Sequence, residues 1–529
     1  MRKHFNTEGF CNPQEHYMVN LDDRLMQIKN QYVDPGSYFV INRGRQFGKT
    51  TILKALAEYL KPDYITLFLD FQNITTKNFE SETRFARAFA KLLVLGFSDV
   101  AIENQNELLR PIRDFVEDET NDSLDELFVR ISTICTYAPK PMVLLIDEVD
   151  SASNNQVFVD FLALLRGYYL NRDHTAVFHS VILAGVYDIK NLKLKLRPGE
   201  DHRYNSPWNI AAVFDVDLSF SKDQIASMLQ DYENDSNAGM DIKTVADEIY
   251  QYTSGYPFLV SAICKRLDER FARYGTDKTV KIWAKSGVAE TVKRLLDEQI
   301  PLFGSIVRQL REYPDMKNML QAILFQGRKV SYNIYNPTID LAAMFGYVVN
   351  KNNSVQVSNR IFEILLYNLF LSEEELTSVI SGEAQRNQNQ FISQGRLNMD
   401  LVLEKFVQYY SDIYSHNDSR FLEEHGRKIF LLYLKPIING TGNYYIEAQT
   451  RDARRTDVIV DYLGEQFIVE MKIWRGSEYD ERGKEQLTEY LDYYHLKKGY
   501  MLSFNFNKNK EVGIREVRVK DRTIIEATV

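Results

Sequence analysis

The run R-G-R-Q-F-G-K-T-T at 43–51 constrains this 529-residue chain more than any other feature. It follows an apolar Y-F-V-I-N (38–42) and opens a helical pattern, T-I-L-K-A-L-A-E-Y-L. A glycine-bearing turn between a buried strand and a helix suits a phosphate-cradling loop, because backbone amides face the anion and the helix N-terminus favours negative charge. The usual pattern is G-x-x-x-x-G-K-[ST], and here Arg43 takes the place of the first glycine. The remaining positions, Gly44, Arg45, Gln46, Phe47, Gly48, Lys49, Thr50 and Thr51, keep the chemistry. Gly48 lets the backbone approach the phosphates, Lys49 neutralises them, and the Thr50 hydroxyl is set to ligate Mg²⁺. A second apolar run, M-V-L-L-I-D-E (142–148), ends in Asp147 and Glu148. Asp147 is placed to hold Mg²⁺ through water, and Glu148 to polarise an attacking water. Alone, each half could be a plain turn or a solvated strand end. Together, at strand termini, they predict binding and hydrolysis of ATP.

The rest of the N-terminal region agrees with such a core. Y-I-T-L-F-L-D (64–70) and S-V-I-L-A-G-V (180–186) are short continuous apolar runs, the kind buried in a parallel sheet. An α/β P-loop core is therefore expected over 1–220. Over 221–375 the pattern turns helical, with S-K-D-Q-I as an N-cap and first turn. A hairpin, Y-V-V-N-K-N-N-S-V-Q-V, turns at Asn350–Ser354 and leads into I-F-E-I-L-L-Y-N-L-F. This reads as a helical lid plus a winged-helix module, which can contact DNA or pack as a lid. A polar, Gln/Asn-rich linker is expected at 376–395 and an α+β domain over 396–529.

A net charge of -9 excludes a global basic field, though not a local nucleic-acid patch. Cys11, Cys135 and Cys264 lie too far apart in sequence for a C-x-x-C pair, which argues against a disulfide framework or zinc site and fits a reducing cytoplasm. The first residues lack the apolar stretch of a signal peptide, and no apolar run reaches the ~20 residues that span a bilayer. A cytoplasmic protein without membrane contact is the expectation.

Near the other end, T-D-V-I-V-D-Y and E-Q-F-I-V-E-M-K-I flank Leu463–Gly464, which reads as a tight turn. If Tyr462 faces Glu465, Asp457 lies opposite Glu470. Val458, Val460, Tyr462, Phe467, Val469 and Met471 then share an apolar core side, and Asp457, Asp461, Glu470 and Lys472 share the other with Ile459 and Ile468. Facing carboxylates repel unless a cation sits between them, so Asp457 and Glu470 predict a hard divalent site suited to Mg²⁺. Lys472 is placed to orient or deprotonate a metal-bound water and to offset charge on a pentavalent phosphate. The plain alternative is an exposed hairpin with salt-bridged charges. R-D-A-R-R (451–455), Arg475, Arg482 and Lys484 form either a phosphate-steering rim or a solvated charged loop.

Two family resemblances join these motifs. F-N-T-E-G-F-C-N-P-Q-E-H-Y-M-V with the loop, R-Y-N-S-P-W-N-I-A (203–211) and T-S-G-Y-P-F-L-V (253–260) resemble bacterial AAA-like ATPases related to the archaeal ATPase and STAND groups. That resemblance implies that His16 and Tyr17 lie near the base and that a lid carrying Pro257 closes over the nucleotide. Hydrolysis gated by a neighbour in a homo-oligomer would need an arginine finger, for which Arg166 and Arg203 are candidates. V-I-L-A-G-V-Y-D (181–188) shows no clear polar sensor. The C-terminal segment resembles the PD-(D/E)XK nuclease superfamily, with Thr456 where the name-giving proline would stand. The resemblance implies that Glu424, on S-R-F-L-E-E-H-G-R-K-I-F-L-L-Y-L, completes the metal site and that Gln486 and Tyr490 form a Q-x-x-x-Y element. The combined expectation is an ATP-regulated or ATP-driven, Mg²⁺-dependent nuclease acting on DNA rather than RNA, in defence or mobile-element biology. The alternative is a nucleotide-switched signalling or scaffold ATPase with an inactive nuclease fold.

Overall fold

The structure is a computed structural model describing residues 2–529 except 99, 101, 118–122, 153–154, 187–207, 275–280, 326–327, 376–387, 415–422, 439–441, 447–457, 464, 475–476, 506 and 508–509. Asp457, Arg203, Arg475, the 451–455 run and most of the expected linker lie outside the described residues. The chain divides into two compact units, one of residues 1–291 with 335–348, the other of 292–334 with 349–529. The range 221–375 is thus shared between both units.

In the first unit, β1 (Tyr38–Asn42), β2 (Ile65–Asp70), β3 (Met142–Asp147) and β4 (Ser180–Gly185) form a parallel sheet in the order β1-β4-β3-β2. Nearly every residue in these strands is buried, as their uninterrupted apolar runs require. Ala212 adds a parallel bridge to Phe39 at the free edge of β1. After α1 (Asp22–Ile28) and α2 (Lys49–Leu60), the helices α3 (Glu82–Gly96), α4 (Gln105–Glu117), α5 (Leu124–Tyr137) and α6 (Gln156–Leu170) follow. Phe85 and Phe89, four apart on α3, meet Phe71 and Phe161 in the core, and Phe158 meets Phe71. Each such ring contributes roughly 1.5–3 kcal/mol by burial.

Three helices follow, α7 (Lys222–Ser236), α8 (Ile242–Thr253) and α9 (Pro257–Tyr274). Ser221 and Gln224 form a reciprocal capping box at the start of α7. Between α8 and α9, Gly255 adopts φ +75, and a side chain there would collide with the Phe220 carbonyl. The Phe220 amide donates to the Gly255 carbonyl at 2.8 Å, so this turn fastens the chain before α7 to the α8–α9 junction. Beyond α10 (Lys285–Asp297), α11 (Pro301–Glu312) and α12 (Pro314–Phe325), α13 (Pro337–Met344) starts at an Asn336 cap and returns to this unit.

In the second unit, β5 (Val348–Lys351) and β6 (Ser354–Val357) form the hairpin, with Asn352 and Asn353 at φ 52 and 59 as a two-residue primed turn demands. α14 (Arg360–Glu375) packs near α12, where the Tyr367 hydroxyl donates to the Leu324 carbonyl at 2.6 Å. Past the short pair β7 (Ile392–Ser393) and β8 (Arg396–Leu397) come α15 (Met399–Tyr414), α16 (Glu423–Ile438), β9 (Gly442–Ile446), β10 (Val458–Tyr462), β11 (Glu465–Ile473), α17 (Ser477–Tyr493), β12 (Lys498–Phe504), β13 (Gly513–Val519) and β14 (Arg522–Thr528). The six longer strands form a mixed sheet ordered β13-β14-β12-β11-β10-β9. Phe504 meets Tyr410 of α15, while Ile459, Ile468, Met501 and Ile524 meet Leu487, Tyr490 and Leu491 of α17. Helices therefore cover both faces. Both α12 and α14 pack on α16, which ties the residues after 349 to this sheet.

Gly255→Ala is expected to lower stability by about 3 kcal/mol, from left-handed strain and the Phe220 collision. The measurement is the urea midpoint, which should fall; an unchanged midpoint would contradict the turn geometry.

Candidate functional site

The loop after β1 is held by its own lysine. Lys49 is buried, and its Nζ donates to the carbonyls of Arg43 at 2.9 Å and Gly44 at 3.0 Å. Gly48 adopts φ 80 at the cap of α2 and Gln46 adopts φ 56, which curls the loop around the helix N-terminus. Thr51 accepts from the Cys11 amide at 3.1 Å, which fastens the N-terminal segment to α2.

Three further contacts clasp the loop from outside. The Tyr256 hydroxyl donates to the Arg45 carbonyl, and its ring meets Phe47 edge-on at 4.7 Å. The Phe345 carbonyl stands 2.5 Å from where a Gly44 side chain would begin. Arg43, in the non-standard position, turns its guanidinium away from the loop. It donates to the carbonyls of Asn42 at 3.1 Å, Val216 at 3.1 Å and Phe214 at 3.4 Å. Its substitution for glycine thus braces the segment beside β1.

The acidic groups arrive on β3, separated from β1 by β4. Asp147 is 2% exposed, lies beside the Thr50 side chain, and accepts the Glu148 amide at 2.9 Å. Burial pushes the Asp147 carboxyl up, with the Thr50 side chain and the Glu148 amide opposing. Glu148 adopts φ 55, and burial followed by the Asp147 charge raises its pKa as well. Lys49 is lowered by burial, against the pull of Asp150, Glu148 and Asp147. Sequence reasoning passed over Asp150, whose carboxylate accepts the Val186 amide at 2.7 Å and ties β3's end to β4's.

A cavity of about 150 Å³ opens beside the loop, walled by Phe47, Gly48 and Thr51, by Val19 of the N-terminal segment, by Phe220 and by Pro257 of α9. His16 and Tyr17 stand behind that wall rather than in it. The His16 ring accepts the Asn12 amide at 2.8 Å, and Tyr17 packs on Phe5 and Tyr232 while donating to Asp235 at 2.8 Å. Their successors Met18 and Val19 line the cavity. A larger hollow of about 600 Å³ lies by Met142 and His179, where β3 and β4 begin. Open α/β sheets bind ligands at the opposite, carboxyl ends of their strands, where the loop stands. Arg166 is half-buried on α6.

In the second unit, Tyr462 pairs with Glu465 and Val458 with Val469, the register expected from side-chain alternation. Leu463 adopts φ 54 at the turn. The carboxylate side of the hairpin is covered as well as its apolar core side. Glu470 is 6% and Lys472 3% exposed, because α17 lays Leu487, Tyr490 and Leu491 across Ile459 and Ile468. Gly483 makes room, since a side chain there would begin 2.5 Å from the Lys472 ammonium. Gln486 is half-buried and Tyr490 buried on α17, and Glu424 belongs to α16, its side chain outside the described residues.

Lys484, read as part of either a phosphate-steering rim or a solvated charged loop, is buried instead. It pairs with Glu526 of β14 at 2.9 Å and Glu481 at 2.8 Å, and Glu526 also takes Arg515. Arg482 is exposed. Among the described residues no three His, Cys, Asp or Glu side chains converge as a metal cluster, and no helix is long and apolar enough to cross a membrane.

No curated protein matches the sequence. Among solved structures, a Walker-type ATPase of Pyrococcus abyssi is similar at 13% identity and a TM-score of 0.45, covering 68% of this chain and 99% of its own. The Aeropyrum pernix ORC2 protein in its ADPNP–ADP complexes is similar at 11% identity and 0.36, covering 69% and 97%. The Thermotoga maritima RuvB Holliday junction branch migration motor stands at 11% and 0.31, covering 64% and 92%. The AAA-like domain family matches residues 8–369, more than half of the chain, and the chain belongs to that family.

Proposed function

We propose that the first unit binds and hydrolyses ATP with Mg²⁺ and that the second carries a Mg²⁺-dependent DNA nuclease site under nucleotide control. The observation that carries the ATP half is the buried Asp147 carboxylate beside the Thr50 side chain and buried Lys49. A hydroxyl and a carboxylate side by side form a hard oxygen pair, a donor set that fits Mg²⁺. Bound there, the ion would offset charge on the β- and γ-phosphates. Lys49 exchanges the Arg43 and Gly44 carbonyls for phosphate oxygens, Glu148 takes a proton from the attacking water, and the lid bearing Pro257 closes over the base. Gly44 to Thr51 supply the backbone cradle.

For the nuclease half, the Tyr462–Glu465 register supports a site in which Asp457 faces Glu470. Asp457, Glu470 and Glu424 are the proposed metal-binding carboxylates, with Lys472 acting on the attacking water and Gln486 and Tyr490 as auxiliary groups. DNA is the proposed partner, the protein working in the cytoplasm and as a homo-oligomer where an arginine finger is needed. The burial of Glu470 and Lys472 under α17 favours a second reading, in which the nuclease fold is inactive and the ATPase serves as a conformational switch.

Plasmid cleavage with Mg²⁺, with and without ATP, separates the two. Wild type should cut and Asp457→Ala and Lys472→Ala should not; a wild type that cuts neither DNA nor RNA under any nucleotide condition leaves the switch reading. Lys49→Ala should weaken ATP binding about 10- to 100-fold, by loss of a charged hydrogen-bond donor, as read by calorimetry. Gly44→Ala should weaken it too, because its new side chain displaces Phe345; unchanged affinity would show that this clasp is not needed. Glu148 must be ionised to accept a proton. Its raised pKa means that hydrolysis declines with falling pH at values above the ordinary glutamate range near ~4.3. Phosphate release followed against pH tests this, and an acidic limb in the ordinary range would count against Glu148 as the base.

A further inference from the structure

The cavity beside the loop contains one charge that the proposed chemistry does not use. Arg24, on α1, lines it together with Val19, Leu218, Phe220 and Met228. Its side chain is buried, with 8% of the residue exposed, and the guanidinium lies 5.6 Å from the centre of the Phe220 ring. One terminal nitrogen, Nη2, donates to the Ser219 carbonyl and to Gln224 Oε1 at 2.7 Å. The other, Nη1, is buried without a hydrogen-bond partner. A guanidinium can only donate, and a buried donor left unmade is costly, so a ligand acceptor in this cavity would satisfy it.

The chemistry of the wall narrows the ligand. Phosphate oxygens belong at the α2 N-terminus with Lys49, whereas this end of the cavity is an apolar slot with a cationic donor. A flat heteroaromatic base with acceptors on its edge fits such a slot. Purines carry a ring-nitrogen acceptor at N7 in both adenine and guanine. We propose that Arg24 is the base-reading residue of the nucleotide site, its Nη1 donating to an acceptor on the edge of a bound purine. The inference rests on the nucleotide reading above. It gives Arg24 two tasks: Nη2 fastens α1 to the start of the lid, and Nη1 selects the base.

The test compares binding of ATP, CTP and inorganic tripolyphosphate to the full chain by calorimetry, in wild type, Arg24→Met and Arg24→Lys, each checked for folding by circular dichroism. Wild type should prefer ATP to CTP. Arg24→Met should lose ATP affinity about 10- to 100-fold and most of the preference, while tripolyphosphate binds as before. Arg24→Lys keeps a charge and a donor on a shorter reach, so it serves if the methionine variant does not fold, and it should show the same selective loss in smaller measure. Equal loss for ATP and tripolyphosphate would reduce Arg24 to a structural brace, and unchanged ATP affinity would overturn the assignment outright. If wild type binds tripolyphosphate but does not distinguish ATP from CTP, base reading fails and the phosphate site stands. If wild type binds none of the three, the nucleotide reading falls and takes this inference with it.

Discussion

The phosphate loop holds its shape because backbone carbonyls are satisfied from several directions at once. Lys49 takes those of Arg43 and Gly44, and Tyr256 takes that of Arg45. A buried ammonium needs such partners, since burial alone disfavours its charge. The same carbonyls keep the lysine at the helix N-terminus, where an incoming phosphate would compete for it. Other features of the first unit support that arrangement. The buried sheet fixes where β1 and β3 end, the Gly255 turn positions the residue that clasps Arg45, and Phe345 presses on Gly44 with no room to spare.

The second unit is organised around a different constraint, a sheet buried on both faces that nevertheless carries charges. Glu470, Lys472, Lys484 and Glu526 all lie below a tenth exposed. Buried charges persist only when paired and hydrogen-bonded, and Lys484 with Glu526 and Arg515 meets that condition. In-register neighbours share a face, and Glu470, Met501 and Glu526 form one row across β11, β12 and β14. The row puts a charge pair and the proposed metal-binding glutamate on the side that α17 covers.

Much of this was legible beforehand because it is local. The four strands of the first sheet appear within a residue of their apolar runs, and the Ser221 capping box and the asparagine hairpin turn sit where their signatures stand. The hairpin register followed from alternation alone, because a slip of one residue would exchange the two faces. That the face carrying Glu470 is covered was not legible there, since alternation on a hairpin does not reveal a helix that arrives later in the chain. Lys484 looked like a rim charge for the same reason: its partner Glu526 lies on a distant strand.

The sequence by itself determined that a phosphate loop joins β1 to α2, that an acidic pair ends β3, and that β10 and β11 pair as they do, because short-range spacing and backbone sterics decide such features. Tertiary structure alone decided that Arg43 braces the chain beside β1 rather than the loop, that Tyr17 stands behind the cavity, and that Arg24 enters its wall with a donor to spare. These are contacts between residues that look ordinary in isolation. Burial, and the need of each polar group for a partner, become visible only when distant segments are packed together.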